Sequence, residues 1–440
     1  MNPNEALVLS YLQKHGASSA AELQAALRVS QPTVSRLLAG LSKQVLTLGK
    51  GRASRYALAQ AIGPLAAQQT IWRIDETGQR RELGLLSFLA RSQMHVAADG
   101  LNLLFETTAQ AELPWFLAPL RAQGFLGRLN ARRLAAMGLS SELEHWDTQS
   151  ALLAALHTPD APGSLVLGDV SLDALPTTLP VLPDADCGDA LDALSQDIAR
   201  SLPAGSSAGG EQPKLLAQTA AGKPVLVKFS PPLGTPFGDR WSDLLHAEAL
   251  ASQVLQRHGW AAAPSVAIST RERAYLLSTR FDRIGTAGRI HVVALGAVHS
   301  ALVPGNYVNW ASTCEALARQ GRLSVQDAQS AAFLLQFGRL IGNTDMHSGN
   351  LSVKVQGQTL AEIVRGQFEL APCYDMLPMR YKPDPQVGLN DYTPFTPAVA
   401  LATEPVRRAA VDYWSSLAQL PTVSAGLRAL ASAMAAIVSG

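Results

Sequence analysis

The sequence predicts an α+β protein: a small helical domain with a β-hairpin, then a larger body that mixes strands and helices. Three observations lead there. Residues 1–60 carry three short helical patterns followed by two β-type segments around a basic turn. Residues 214–229 carry two strand patterns, and the second sets a lysine among β-formers. Residues 341–350, Ile-Gly-Asn-Thr-Asp-Met-His-Ser-Gly-Asn, form a loop that spaces a carboxylate and a carboxamide five residues apart.

Composition bounds the answer. At 440 residues the chain is long enough for two or three domains. Apolar residues make up 47% and charged residues 16%, so there is ample material for buried cores. A net charge of +1 argues against a uniformly basic nucleic-acid coat. The charge is uneven, however, since residues 1–60 hold seven Lys or Arg against two Glu. Cys187, Cys314 and Cys373 are widely spaced and odd in number, which suits a reducing cytoplasm. There is no basic-then-apolar leader and no apolar run of about 18 residues or more, so no membrane span is expected.

In the first sixty residues, Leu7, Val8, Tyr11 and Leu12 fall on one helix face. A second helix opens after Ser18-Ser19 and offers Leu23, Ala26 and Leu27. The third starts near Ser30, tolerates Pro32 in its first turn, and has an apolar stripe of Val34, Leu37, Leu38 and Leu41. Gln31, Thr33, Ser35 and Arg36 are left facing outward near its start. The turn Arg28-Val29-Ser30 is very short, as in a helix-turn-helix whose second helix presents its N-terminal side chains to base edges. Residues 45–58 then read as two strands around a basic turn, like the wing of winged-helix proteins. Arg36, Lys43, Lys50, Arg52 and Arg55 fall on the recognition helix and wing, where they can reach phosphates of double-stranded DNA. A helical protein-interaction module that never touches DNA is the alternative.

The middle of the chain shows no chemistry. Thr70–Ile74 and Gly84–Leu89 read as strands, with helices around 113–122 and 130–138. Residues 157–186 contain five prolines and read as a connector with one short strand, Ser164–Leu167. The expected segments are 1–60, 61–185, 186–285 and 286–440.

The candidate chemistry lies beyond. Ser206-Ser207-Ala-Gly209-Gly210-Glu-Gln212-Pro-Lys214 can bring backbone amides and a lysine to phosphate oxygens, or be a plain turn. Lys228, in the strand Pro224–Phe229, is either an edge lysine or one that pairs with phosphates. A helix from about Trp241 to His258 carries Glu248, which can hold Lys228 or simply face water. Asp345-x-His347-x-x-Asn350 has the spacing of a kinase catalytic loop. There the carboxylate orients the attacking hydroxyl and the amide oxygen holds Mg²⁺. Asp375, downstream in Tyr374-Asp375, is the second metal-binding carboxylate that such a loop needs.

This ordered set, with Arg280-Phe-Asp-Arg283 between its halves, resembles the HipA-type serine/threonine kinases over roughly residues 80–400. Members with a fused helix-turn-helix, the YjjJ-like group, are the most similar. The resemblance implies a winged helix-turn-helix followed by a two-lobed HipA/protein-kinase-like fold, with a mixed α/β N-lobe and a mostly helical C-lobe, and with ATP and Mg²⁺ as cofactors. Asp345 matches the catalytic aspartate, and Asn350 and Asp375 match the Mg²⁺ ligands. Lys214, Gly209 and Gly210 match the phosphate loop, and Lys228 the ATP-phosphate lysine. Thr279, Arg280 and Phe281 match the adenine hinge. Ser207 falls where family members carry a self-inactivating autophosphorylated serine, and Ser206 beside it is the other candidate. His347 occupies a frequent family position and is read as structuring the loop. Implied partners are a protein substrate such as an aminoacyl-tRNA synthetase or another translation component, an antitoxin, and a second copy of the chain on a two-fold DNA site. Two alternatives stand beside this reading. One is a small-molecule kinase of the aminoglycoside or choline type. The other is a transcription regulator whose kinase fold only senses nucleotide.

Overall fold

The computed structural model describes residues 3–106, 112–175, 178–201 and 212–440. The chain divides into two compact units. The first holds residues 1–123, 127–177 and 357–366; the second holds 124–126, 178–356 and 367–440.

The first unit begins with helices Pro3–His15, Ala20–Leu27 and Gln31–Gly40, then a hairpin of Val45–Leu48 and Arg55–Leu58. Local chemistry sets the boundaries. Ser19 and Glu22 form a reciprocal capping box at the start of the second helix. Arg28 ends that helix in the left-handed region (φ 56°), which turns the chain within three residues. Val8, Leu12, Leu23, Val34, Leu37, Leu38, Leu41 and Val45 form the core. Leu7 and Ala26, expected inside, are exposed, because the buried stripe follows Val8–Leu12 and Leu23 and leaves both on the flank.

A five-stranded antiparallel sheet follows, ordered Leu101–Phe105, Met94–Ala98, Arg80–Phe88, Gln68–Ile74, Leu165–Leu167. The helix expected at 113–122 is a 3₁₀ turn, Trp115–Leu120, with Pro119 inside it. Proline lacks the N–H that an α-helix would use there. The helix expected from 130 begins at Gly124 and ends at Leu134, with Phe125, Ala131 and Leu134 each buried. The proline-rich connector holds a short helix, Gly168–Asp173, besides its strand. The hairpin docks on this sheet: Leu48 and Ala57 pack with Ala17 and Leu89, and the Ala17 amide donates to Gln93 Oε1 at 2.7 Å.

In the second unit the main sheet is ordered Ser265–Ser269, Ala274–Thr279, Pro224–Phe229, Lys214–Thr219, Val181–Leu182. Alternation along the strands gives it two distinct faces. Leu215, Ala217, Val225, Val227 and Phe229 point to one face, covered by Leu191 of the helix Cys187–Ser201, an element the sequence reading did not anticipate. Leu276 and Ala274 point to the other, against Leu245 and Ala249 of the helix Pro236–Arg257. That helix starts five residues earlier than expected at about Trp241, because Thr235 caps it and Pro236 fits its first position. The rest is largely helical: Leu295–Leu302, Trp310–Arg319, Val325–Leu340, Glu404–Gln419 and Ala425–Ser439, with a small sheet of Val292–Ala294, Ser352–Gln356 and Gln367–Leu370. Trp310, Phe337, Tyr413 and Trp414 are fully buried among these helices. Among the described residues, no helix is long and apolar enough to cross a membrane.

Candidate active site

Strand register does the first work. Lys228 lies directly opposite Lys214 on one neighbouring strand and Leu276 on the other. All three therefore share the face covered by the long helix Pro236–Arg257. Glu248 sits on the buried side of that helix. Its two oxygens accept from Lys228 Nζ at 2.6 and 2.8 Å. Lys228 Nζ also donates to Asp375 Oδ1 at 2.5 Å. Lys228 and Glu248 side chains are each 5% exposed. The lysine is therefore no edge residue, and the glutamate does not face water.

Burial alone would push the Lys228 ammonium toward neutrality, but Asp375 and Glu248 outweigh it and hold its pKa above the ordinary lysine value. Burial also works against ionisation of Asp375. Lys228 and Lys214 overcome it and hold that carboxyl below the usual range. Glu248 goes the other way, lifted by burial against the pull of Lys228. Asp375 stands in a left-handed backbone conformation (φ 54°) unusual for a non-glycine.

The loop 341–350 is assembled from its own side chains. Asn343 is buried; its Oδ1 accepts from the Asp345 amide at 3.0 Å and its Nδ2 donates to the Asp375 carbonyl at 3.3 Å. Asn350 Nδ2 donates to the Asp345 carbonyl at 2.8 Å, which turns the amide oxygen to other work. The Asp345 side chain is 47% exposed, so the carboxylate is held by its backbone while its oxygens remain accessible. His347 Nε2 stands 4.0 Å from Asp345 Oδ1, and its Nδ1 accepts from the Gly349 amide at 3.0 Å. Trp310 Nε1 donates to the His347 carbonyl, and Tyr374 Oη donates to that of Gly349, both at 2.9 Å.

Thr279 ends its strand with its amide on the Pro264 carbonyl at 2.9 Å. The Arg280 guanidinium is bound to Asp282 at 3.1 and 3.0 Å, so it braces the turn. Phe281 stacks on Tyr374 with ring centroids 5.7 Å apart. Ser206, Ser207, Gly209 and Gly210 lie outside the described residues. Two residues that the sequence reading passed over belong to the site, Asn343 and Trp310, and Tyr374, read only as the neighbour of Asp375, joins them. Only the Asn343 position, two before Asp345, carried a local signal, as a side chain able to cap the loop from within.

In the first unit, Gln31, Ser35 and Arg36 are exposed at the start of the third helix, and Lys50 is exposed on the hairpin turn. Thr33 is half-buried, with its hydroxyl 3.0 Å from that of Ser30. Arg55 is used within the fold: its Nη2 donates to the Ala17 carbonyl at 2.5 Å and its Nη1 is 3.5 Å from Glu106. Ser35, Ser42, Thr47 and Tyr56 line an open cleft between the third helix and the hairpin.

A strand lysine gripped by a helix glutamate, beside an Asp-x-x-x-x-Asn loop and a downstream aspartate, defines the kinase-like class of folds. Comparison with known proteins narrows the class. A HipA-like C-terminal domain model matches residues 206–439, a YjjJ-like toxin middle domain model matches 65–175, and a MarR family model matches 1–46. The chain belongs to the HipA-like family, in its YjjJ-like toxin group. Toxin YjjJ of Escherichia coli (strain K12) is 34% identical over 450 residues, which cover 97% of this chain and 96% of that protein. The same fold occurs in a chain of the Shewanella oneidensis MR-1 toxin–antitoxin complex of HipA, HipB and operator DNA. The match has a TM-score of 0.54 at 16% identity, over 84% of this chain and 95% of that one.

Proposed function

We propose that this protein is an ATP- and Mg²⁺-dependent protein kinase of the HipA toxin type that phosphorylates Ser or Thr of a protein and binds double-stranded DNA through its N-terminal domain. The observation that carries the reading is the buried contact of Lys228 with both Glu248 and Asp375, in the same unit as a half-exposed Asp345. Fixed positive charge beside a phosphate site stabilises charge on the transferring group without reorganisation. Lys228 and Lys214 supply it. Asp345 orients the acceptor hydroxyl and takes its proton.

The residues present fit Mg²⁺. The amide oxygen of Asn350 and the carboxylate of Asp375 are hard oxygen donors, and Mg²⁺ characteristically takes one or two protein ligands with phosphate and water completing its shell. Asn350 and Asp375 would hold Mg²⁺, which would supply positive charge against the phosphates.

Self-regulation belongs to the same reading. A phosphate on Ser207 adds about −2 charge a few residues before Lys214 and turns the phosphate loop against ATP. Ser206 is the neighbouring alternative. For DNA, the MarR family match and the exposed Gln31, Ser35, Arg36 and Lys50 support binding. An antitoxin and a second copy of the chain are the expected protein partners. A translation component, such as an aminoacyl-tRNA synthetase, is the expected target.

The test is incubation of the purified protein with Mg-ATP and cell extract, with phosphosites mapped by mass spectrometry beside an Asp345→Asn control. The expected result is a phosphorylated target protein, and a phosphate in the 201–214 peptide, with wild type only. If neither sample contains a phosphoprotein, the kinase reading fails and a nucleotide-sensing DNA regulator replaces it.

A further inference from the structure

The helix Pro236–Arg257 grips a second part of the second unit besides Lys228. Asp243, five residues before Glu248, is 4% exposed. Its carboxylate accepts from Ser424 N at 2.7 Å, Ser424 Oγ at 2.6 Å and Tyr392 Oη at 2.7 Å. Burial, and then Asp243 itself, raise the Tyr392 phenol well above its ordinary range, so it stays a donor. Arg240, one turn earlier on the same helix, lies 3.9 Å over the Tyr392 ring and donates to the carbonyls of Tyr381 at 3.0 Å and Asn390 at 2.7 Å. The segment that follows Asp375 is therefore clasped to the helix that carries Glu248.

The clasped segment in turn seats the loop of Asp345. The Arg380 amide donates to the Gly342 carbonyl at 3.0 Å, and the Arg380 guanidinium lies over Phe395 at 5.1 Å. Gly342 has φ +77°, and the Phe395 ring lies 3.0 Å from where a Cβ would stand. Gly342 leads into Asn343, which holds both the Asp345 amide and the Asp375 carbonyl. The Tyr392 ring packs on that of Tyr381, with centroids 5.4 Å apart, and Tyr381 adjoins Arg380 in the chain, so linked groups run from Asp243 to Asp345.

We infer that Tyr392, fixed by Asp243 and Arg240, is a positioning residue for phosphoryl transfer: through Tyr381, Arg380 and Gly342, against which Phe395 packs, it sets the placement of Asp345, while the same helix sets Lys228 through Glu248. The inference rests on the proposed kinase activity. Misplacing a catalytic group by about 1 Å costs rate, while Glu248, on the long helix itself, still holds Lys228 for the nucleotide.

The test is Tyr392→Phe, which removes only the hydroxyl, with Phe395→Leu as a second break in the path. Three quantities are read: kcat and KM for ATP on the mapped target, the melting temperature, and hydrogen exchange of amides 342–346. The expected result is kcat down about tenfold or more, KM for ATP within about twofold, and faster exchange at 342–346 but not at 224–229. If both variants keep wild-type kcat and exchange while the wild type is active, the inference is overturned and the kinase reading survives. A parallel loss of kcat, ATP affinity and melting temperature also overturns it, since that is general destabilisation. An inactive wild type overturns the kinase reading itself, and with it any catalytic role for Tyr392.

Discussion

The charges of the Lys228 group and those of the N-terminal domain do opposite things with the same residue types. Lys228 and Glu248 are almost fully buried, and each oxygen and proton is committed to a partner. Arg36 and Lys50 stand in solvent, where a charge contributes little to stability and acts at long range. Arg55, on the same hairpin, is intermediate: half-buried, and turned inward to Ala17 and Glu106. The lesson is that burial decides what a basic residue is for. A buried cation is preorganised and intolerant of losing its partner; an exposed one is a salt-sensitive attractor.

The hardest blow to this contrast is Lys228→Ala. It leaves Glu248 buried without its cation, so unfolding free energy should fall by roughly 3–5 kcal/mol and phosphoryl transfer should vanish. Urea denaturation measures the first. A stability change under about 0.5 kcal/mol would mean that the group is wetter than its geometry. Lys228→Met combined with Glu248→Gln and Asp375→Asn, which neutralises the whole group, should recover most of the stability but none of the activity.

Next comes Asp345→Asn. Its side chain is half-exposed, so stability should change by less than about 0.5 kcal/mol. Turnover should nevertheless drop by about 10² to 10⁴. Unchanged single-turnover rates in a folded variant would remove Asp345 from the chemistry.

Arg55→Ala should cost roughly 1 kcal/mol of stability in the first unit, less than a buried charge-assisted bond because the side chain is 39% exposed. Its effect on the salt slope of DNA binding should be near zero. A lost slope with unchanged melting temperature would return Arg55 to the DNA interface.

The smallest effect on stability is expected from Arg36→Ala and Lys50→Ala. Neither should shift the melting temperature measurably, yet each should reduce the slope of log affinity against log salt by roughly 0.9 if it meets a phosphate. Fluorescence anisotropy across a salt series reads this directly. Identical slopes in wild type and both variants would take the third helix and the hairpin turn off the DNA.

The sequence alone determined whatever repeats over a few residues. The stripe Val34, Leu37, Leu38 and Leu41 follows from 3.6-residue periodicity and is buried as read. The β-formers around Lys228 and the Asp345–Asn350 spacing follow from equally local rules. The exposed Leu7 and the 3₁₀ turn at Trp115 show where such rules weaken: a stripe's edge, and a proline. Only the tertiary structure decided which distant residues meet. Strand register put Lys214 opposite Lys228. Chain topology brought Asp375 to a lysine 147 positions away and Tyr392 to an aspartate 149 away. Packing also gave Arg55, on the wing, partners in Ala17 and Glu106. Periodicity and spacing report on neighbours along the chain. Contacts between remote segments depend on how whole faces bury against each other, which no window of sequence contains.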